Sequence, residues 1–187
     1  MKKKVFLDLD DTVFDTSLNL RNNLKGYLES GVIESIWDKR FFMERPTISG
    51  AFRDAYDIYH ECMYDWNKIP VKQGALEGVS ELIGVCDLCI CSEYYSDFER
   101  LSKLEVVGKL WGSEGYSSVY VNGRYLRKYC IDMSGTILVD DNKTILVNSN
   151  ADVKICFYNK ETTEDYKGII CYDWDSLVDT VRRVCLD

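Results

Sequence analysis

"KVFLDLDDTVFDT", Lys4 to Thr16, sets Asp8, Asp10, Asp11 and Asp15 directly behind a short apolar run. Val5 to Leu7 reads as a buried strand. Carboxylates crowded at the end of such a strand repel one another, more strongly as water is excluded. Either these acids are solvated turn residues, or a cation sits among them.

The pattern downstream decides what kind of sheet this strand enters. From Ser17 to Pro70 the spacing is helical. Leu20, Leu24, Tyr27 and Leu28 fall on one face, with Gly31 as a stop. A short helix is expected over residues 33–43, carrying Ile36, Trp37 and Phe41. The longest is expected over 49–67, with Phe52, Tyr56, Tyr59, Met63 and Trp66 on one side and Pro70 after it. Beyond Pro70, helices and strands alternate. Leu76, Val79, Leu82 and Ile83 mark a helix, and Leu88–Ser92 a strand. Phe98, Leu101 and Leu104 mark the next helix stripe. Strands are expected at Ser117–Val121, Thr136–Asp141, Val153–Tyr158 and Gly168–Tyr172. A last helix carries Trp174, Leu177, Val178, Val181 and Val184. Short, wholly apolar strands between helices indicate an α/β, Rossmann-like parallel sheet covered by helices on both faces. The expected division is a core of residues 1–13 and 73–187, with a small all-helical cap, residues 14–72, inserted after the first strand.

A length of 187 residues suits one domain with such an insertion. The net charge of −8 and pI near 4.8 argue against binding nucleic acid polymer, though not against a nucleotide-sized anion. No apolar run approaches the roughly 18 residues of a membrane span. The opening "MKKKVFLDLDD" has too short an apolar stretch for a signal peptide. A cytoplasmic location with reduced thiols is therefore expected for the eight cysteines. "CDLCICS" contains C-x-x-C, but no second metal-ligand pair follows, so Cys86, Cys89 and Cys91 read as small apolar residues of a strand. His60 lies on a helical stripe and reads as structural.

Ligands of open parallel sheets bind at the carboxyl ends of the strands. Three apolar strands end in polar groups here: the first in Asp8 to Thr12, the second in Ser92, the fourth in Asp140 and Asp141. An all-oxygen, strongly negative cluster suits a hard cation, and Mg²⁺ is the usual one beside phosphate. In Asp8-x-Asp10 one carboxylate can attack while the other handles a proton. Other readings of the acidic run fail. As an EF-hand loop, "DLDDTVFDTSLN" has Val13 where glycine is required and Asn19 where the bidentate acid belongs. The P-loop, dinucleotide and nucleophile-elbow patterns are absent.

These segments resemble the signatures of the haloacid dehalogenase-like (HAD) phosphatase superfamily. "VFLDLDDT" resembles the first, "LCICS" the second and "TILVDD" the fourth, while "VKQGALEGVSELI" resembles the return from a helical cap. The resemblance implies that Asp8 is the nucleophile and a metal ligand. It implies that Asp10 is the general acid and base, with its carbonyl also on the metal. Thr12 would support the loop and substrate, Ser92 would bind the phosphoryl oxygens, and Asp140 and Asp141 would complete the Mg²⁺ site. Either of that last pair could be the direct ligand. The third signature is a lysine. Lys128 lies twelve positions before Asp140, close to the interval in the 5'-nucleotidase-like branch, with Lys103 and Lys109 as competitors and Lys143 beyond the acid pair.

The cap is rich in aromatics, including Tyr27, Trp37, Phe41, Phe42, Phe52, Tyr56, Tyr59, Tyr64 and Trp66. Most would form its own core, and one or two could stack a flat ligand such as a nucleobase. Phe41 and Arg45 are the candidate substrate contacts, with Arg40 and Arg53 as further cations. The expected activity is a Mg²⁺-dependent phosphomonoesterase acting through an aspartyl-phosphate on a small phosphorylated metabolite, with a nucleoside or deoxynucleoside 5'-monophosphate as the specific candidate. A phosphotransferase, a phosphonatase, a nucleic-acid-end phosphatase and a non-catalytic phospho-ligand-binding module remain the alternatives.

Overall fold

Val5, Phe6 and Leu7 form the body of β1 (Lys4–Leu7), one of the two central strands in a computed structural model that describes residues 2–38, 49–159 and 165–186. The other strands are β2 (Asp87–Tyr94), β3 (Tyr116–Asn122), β4 (Ile137–Asp140), β5 (Val153–Phe157) and β6 (Ile169–Cys171). All pair in parallel, in the order β3-β2-β1-β4-β5-β6. The order reverses between β1 and β4, and a crevice opens at the carboxyl ends of strands where such a reversal occurs.

Alternation along each strand sends side chains to two cores. Phe6, Cys89, Cys91, Leu138 and Cys156 pack with Met133 and with Ile145 and Leu146 of α6 (Lys143–Asn148). Val5, Leu7, Leu88, Ile90, Val139 and Ile155 face the opposite way. They meet Val79 and Leu82 of α4 (Ala75–Val85), Val106 and Val107 of α5 (Asp97–Trp111), and Leu177 and Val181 of α7 (Trp174–Leu186). Helices thus cover both faces, as the unbroken apolar strands require. The eight cysteines are free thiols, and burial pushes those of Cys86 and Cys91 up to about 12.

The segment between β1 and α4 holds α1 (Thr16–Asn23), α2 (Lys25–Glu29), α3 (Gly50–Tyr64) and a 3-10 turn at Trp66–Lys68. Its outgoing and returning strands of chain are stitched together. Asp15 N donates to Pro70 O at 2.8 Å, Lys72 N donates to Val13 O at 2.8 Å, and Phe14 pairs with Val71. Among the described residues no helix is long and apolar enough to cross a membrane.

Two expectations are corrected. Residues 33–38 are not helical; they form turns, with Asp38 N donating to Ser35 O at 3.1 Å. Ile33 and Ile36 are both buried, and a single turn brings side chains three apart to one side as well as a helix does. The rest of that expected helix, 39–43, lies outside the described residues. In α5 the apolar stripe faces outward: Phe98 is 74% exposed and Leu101 54%. The helix instead buries Glu99, Ser102, Lys103, Val106 and Val107, because its first half faces polar groups at the strand ends.

Candidate active site

Asp8 N donates to Val139 O at 3.0 Å, so β1–β4 pairing carries through to the first aspartate and sets it beside Asp140 at the end of β4. The chain then turns sharply, with Leu9 O accepting from both Val13 N and Phe14 N at 3.0 Å. Asp11 sits at φ 52°, a left-handed conformation that aspartate tolerates better than most residues. Its buried carboxylate accepts from Ser17 N at 2.7 Å and from Ser17 Oγ. Burial raises the Asp11 carboxyl above its ordinary value, against those Ser17 bonds. Asp11 therefore caps α1. Asp15, at the start of α1, makes no capping bond and pairs with Lys72 Nζ at 2.6 Å.

Asp8, Asp140 and Asp141 are buried, and each offers one carboxylate oxygen within 4.8 Å of the others. Lys128 enters this cluster from a 3-10 turn (Lys128–Cys130), its Nζ 2.5 Å from Asp8 Oδ1 and 2.7 Å from Asp140 Oδ2. The turn is held by Glu93, which accepts from Lys128 N at 2.8 Å and Arg127 Nε at 2.9 Å. Burial holds the Asp8 carboxyl well above the ordinary range; Lys128 opposes this, and Asp140, Asp10 and Asp141 add to it. Burial likewise raises Asp140, against Lys128 and the Asn142 backbone bond. For Lys128 burial disfavours the charge, but Asp140 and Asp8 outweigh it and raise its pKa. The three carboxyl groups offer an oxygen-only ligand set in a buried place, which fits a divalent hard cation. Of the competing lysines, Lys109 pairs on the surface with Glu105 at 2.6 Å, and Lys143 is the first residue of α6, after the acid pair in the chain.

Lys103, the remaining competitor, is buried on the other side of Asp10. Its Nζ lies 2.9 Å from Asp10 Oδ2, 2.9 Å from Glu99 Oε1 and 3.1 Å from Ser92 Oγ. Ser92 Oγ donates to Asp10 Oδ2 at 3.0 Å. Ser92 is thus beside Asp10 but fully buried. Thr12, expected to support the loop and touch substrate, is buried behind the loop. Its hydroxyl has no hydrogen-bond partner among the described residues, and its carbonyl accepts from Trp174 Nε1 at 3.1 Å.

A cavity of about 280 Å³ opens over this floor. Asp8, Asp10, Lys128 and Asp141 line it at the bottom, and Trp37, Tyr59, His60 and Met63 of the helical insertion line its roof. Glu93, Tyr95 and Arg127 complete one side. Phe41 and Arg45, the expected substrate contacts, lie outside the described residues, as do Arg40 and Phe42. Arg53 is exposed and does not line the cavity. His60, read as structural, packs on the Tyr56 ring at 4.0 Å and also faces the cavity. Glu93 and Arg127 went unread; their signal was proximity in sequence to Ser92 and Lys128.

Neither a protein-family model nor a curated protein matches this sequence. Solved structures match its fold. A haloacid dehalogenase-like family hydrolase from Streptococcus pneumoniae aligns with a TM-score of 0.62 at 14% identity, over 96% of this chain and 98% of the other. YfnB from Bacillus subtilis, described as a HAD-hydrolase and solved bound to magnesium, aligns with a TM-score of 0.64 at 12% identity, over 96% and 98%. CbbY from Rhodobacter sphaeroides, solved in complex with phosphate, aligns with a TM-score of 0.57 at 12% identity, over 95% and 96%. At such identities the likeness is one of fold, and it spans the helical insertion as well as the sheet.

Proposed function

We propose that this chain is a Mg²⁺-dependent phosphomonoesterase of the haloacid dehalogenase-like superfamily, closest to its 5'-nucleotidase-like branch. It acts through an aspartyl-phosphate on a small phosphorylated metabolite, a nucleoside or deoxynucleoside 5'-monophosphate being the specific candidate. One observation carries the reading: Asp8 and Asp10 line a single cavity, one against Lys128 and the acid pair, the other against Ser92. The two carboxylates therefore have different surroundings, as different chemical tasks require.

Asp8, the Asp10 carbonyl, Asp140 and Asp141 would hold Mg²⁺, which offsets the repulsion between the Asp8 carboxylate and an incoming phosphate. The Asp8 carboxylate attacks phosphorus, the bond to the ester oxygen breaks, and Asp10 gives that oxygen its proton. Asp10 then takes a proton from water, whose oxygen attacks phosphorus and releases Asp8 and inorganic phosphate. Lys128 neutralises charge on the phosphoryl oxygens, and Ser92, buried and donating to Asp10, steadies that carboxylate. Residues 14–72 act as the cap, excluding water over the bond being broken. Trp37, Tyr59 and His60 give the roof flat faces that suit a nucleobase.

A panel of phosphate esters assayed with Mg²⁺, wild type against Asp8→Asn, tests the chemistry. Activity on at least one ester is expected, lost to background in the variant. Phosphate release that survives Asp8→Asn overturns the nucleophile. Within the panel, sugar phosphates turned over as well as nucleoside monophosphates would overturn the nucleotide assignment.

A further inference from the structure

We propose that Lys103 is the positioning residue for Asp10, its ammonium, anchored by Glu99, fixing Asp10 Oδ2 so that Oδ1 meets the leaving group. This rests on the phosphomonoesterase reading above. Lys103 is fully buried and absent from the cavity lining, so it does not touch substrate itself and acts on Asp10, directly and by way of Ser92.

An ammonium taken wholly out of water costs several kcal/mol unless its donors are satisfied. Lys103 has four oxygens for three N–H groups: Asp10 Oδ2, Glu99 Oε1, Ser92 Oγ and the Glu93 carbonyl at 2.5 Å. The Trp66 ring lies 4.5 Å beneath it, and Trp66 N donates to Ser102 Oγ at 2.8 Å, closing the foot of the helical insertion onto α5. The lysine is thus already satisfied without Asp10. Asp10 gains more from the contact, since among the described residues its 27% exposed side chain has only Ser92 as another hydrogen-bond partner.

Local sequence explains how the lysine arrives there. Ser96 caps α5 by accepting from Glu99 N at 3.1 Å, and Glu99 Oε2 accepts from Tyr95 N at 2.9 Å. This is a capping box shifted by one residue. It fixes Glu99 at the helix start, and Lys103 follows one turn later on the same face. Both bonds to Asp10 fall on Oδ2, so one carboxylate oxygen is held and the other is left for proton transfer.

A positioning role predicts a leaving-group dependence that a structural role does not. The test compares kcat/KM, which reports phosphoryl transfer to Asp8, for 4-nitrophenyl phosphate and a simple alkyl phosphate under saturating Mg²⁺. Nitrophenolate leaves with little protonation, whereas an alkoxide needs the proton from Asp10. Lys103→Met in a Glu99→Gln background, which leaves no unpaired buried carboxylate at Glu99, should lose about 100-fold on the alkyl ester and less than about threefold on the aryl ester. Lys103→Arg, which keeps the cation, should recover part of the alkyl loss. Equal losses on both esters, or none on either, overturn the proposal. If the double variant does not fold, Glu99→Gln alone should show the same aryl-sparing pattern in smaller degree, and equal losses there overturn it. A wild type inactive on both esters refutes the phosphomonoesterase reading, and this proposal with it. A wild type active on both, with an unchanged ratio in the variants, refutes the Lys103 proposal alone.

Discussion

Lys128 Nζ lies 2.5 Å from Asp8 Oδ1, bridging 120 residues of chain, and the same ammonium stands 2.7 Å from Asp140. One cation therefore ties the proposed nucleophile to the end of the neighbouring central strand. Both carboxylates are buried, and without Lys128 they face each other across a dry gap.

Lys128→Met should cost about 10²- to 10³-fold in kcat, the usual effect of removing one preorganised charge from a phosphoryl site. It should also lower stability by about 3–5 kcal/mol in EDTA, because a buried pair loses its counter-charge. Mg²⁺ should restore part of that loss. Thermal melts with EDTA and with Mg²⁺ read both effects. A variant that melts like the wild type in EDTA contradicts the coupling.

The acid cluster predicts stabilisation by metal in the protein alone. At 100 times its Kd, Mg²⁺ should add about 2.7 kcal/mol to the folded state. For a chain of this size that is a rise in Tm of about 5–11 °C. Asp140→Asn and Asp141→Asn should each reduce the shift, and the direct ligand should reduce it more. The full shift surviving in both variants would mean that the cation binds elsewhere.

Asp11 gives a pH dependence of defined sign. Burial lifts its carboxyl above the ordinary 3.8, although the Ser17 bonds and Lys72 pull it down. The folded protein thus holds that proton more tightly than the unfolded chain. Between 3.8 and the raised value, unfolding free energy falls as pH rises, and above it the penalty is complete. Asp11→Asn removes the titration while keeping an acceptor for Ser17 N. Urea melts in EDTA should show the variant gaining on the wild type as pH climbs from about 4, then holding a constant lead. A difference that stays flat throughout contradicts the assignment.

The sheet was legible because β1, β2, β4 and β5 are apolar on both faces, which parallel strands under two helical layers require. Asp8, Asp140 and Asp141 followed, since each stands at or just past a strand end; Ser92, read as a strand end, lies two residues inside β2, which runs on to Tyr94. Lys103 was harder to read. It follows Phe98 and Leu101, whose spacing promised an inward stripe, yet those residues are exposed and the lysine is buried. The clue was polar: Ser96-x-x-Glu99 marks a helix start, and Glu99 and Lys103 stand four apart. Hydrophobic periodicity could not find it, because the buried face of α5 there meets carboxylates and not apolar side chains. Residues 33–38 failed for a simpler reason, in that two buried isoleucines three apart do not distinguish a helix from a turn.

Trp174 offers a test that links packing to the catalytic loop. Its indole lies across α4 so closely that a Cβ on Gly78 would stand 2.4 Å from Cε3, a clash no rotation at the glycine relieves. Its Nε1 also donates to Thr12 O at 3.1 Å, two residues past Asp10. Gly78→Ala should therefore force the indole outward, costing about 1–3 kcal/mol by overpacking. Gly108→Ala is the control: it lies in helix α5 with no atom within 4 Å of an added Cβ. That change should stabilise by about 0.4–1 kcal/mol through the unfolded chain. Opposite shifts in Tm are expected from one chemical substitution. Because displacing Trp174 also frees the Thr12 carbonyl, Gly78→Ala should lower kcat as well, and Gly108→Ala should not. Equal Tm values for the two variants would show that the indole has room to yield and does not brace the loop.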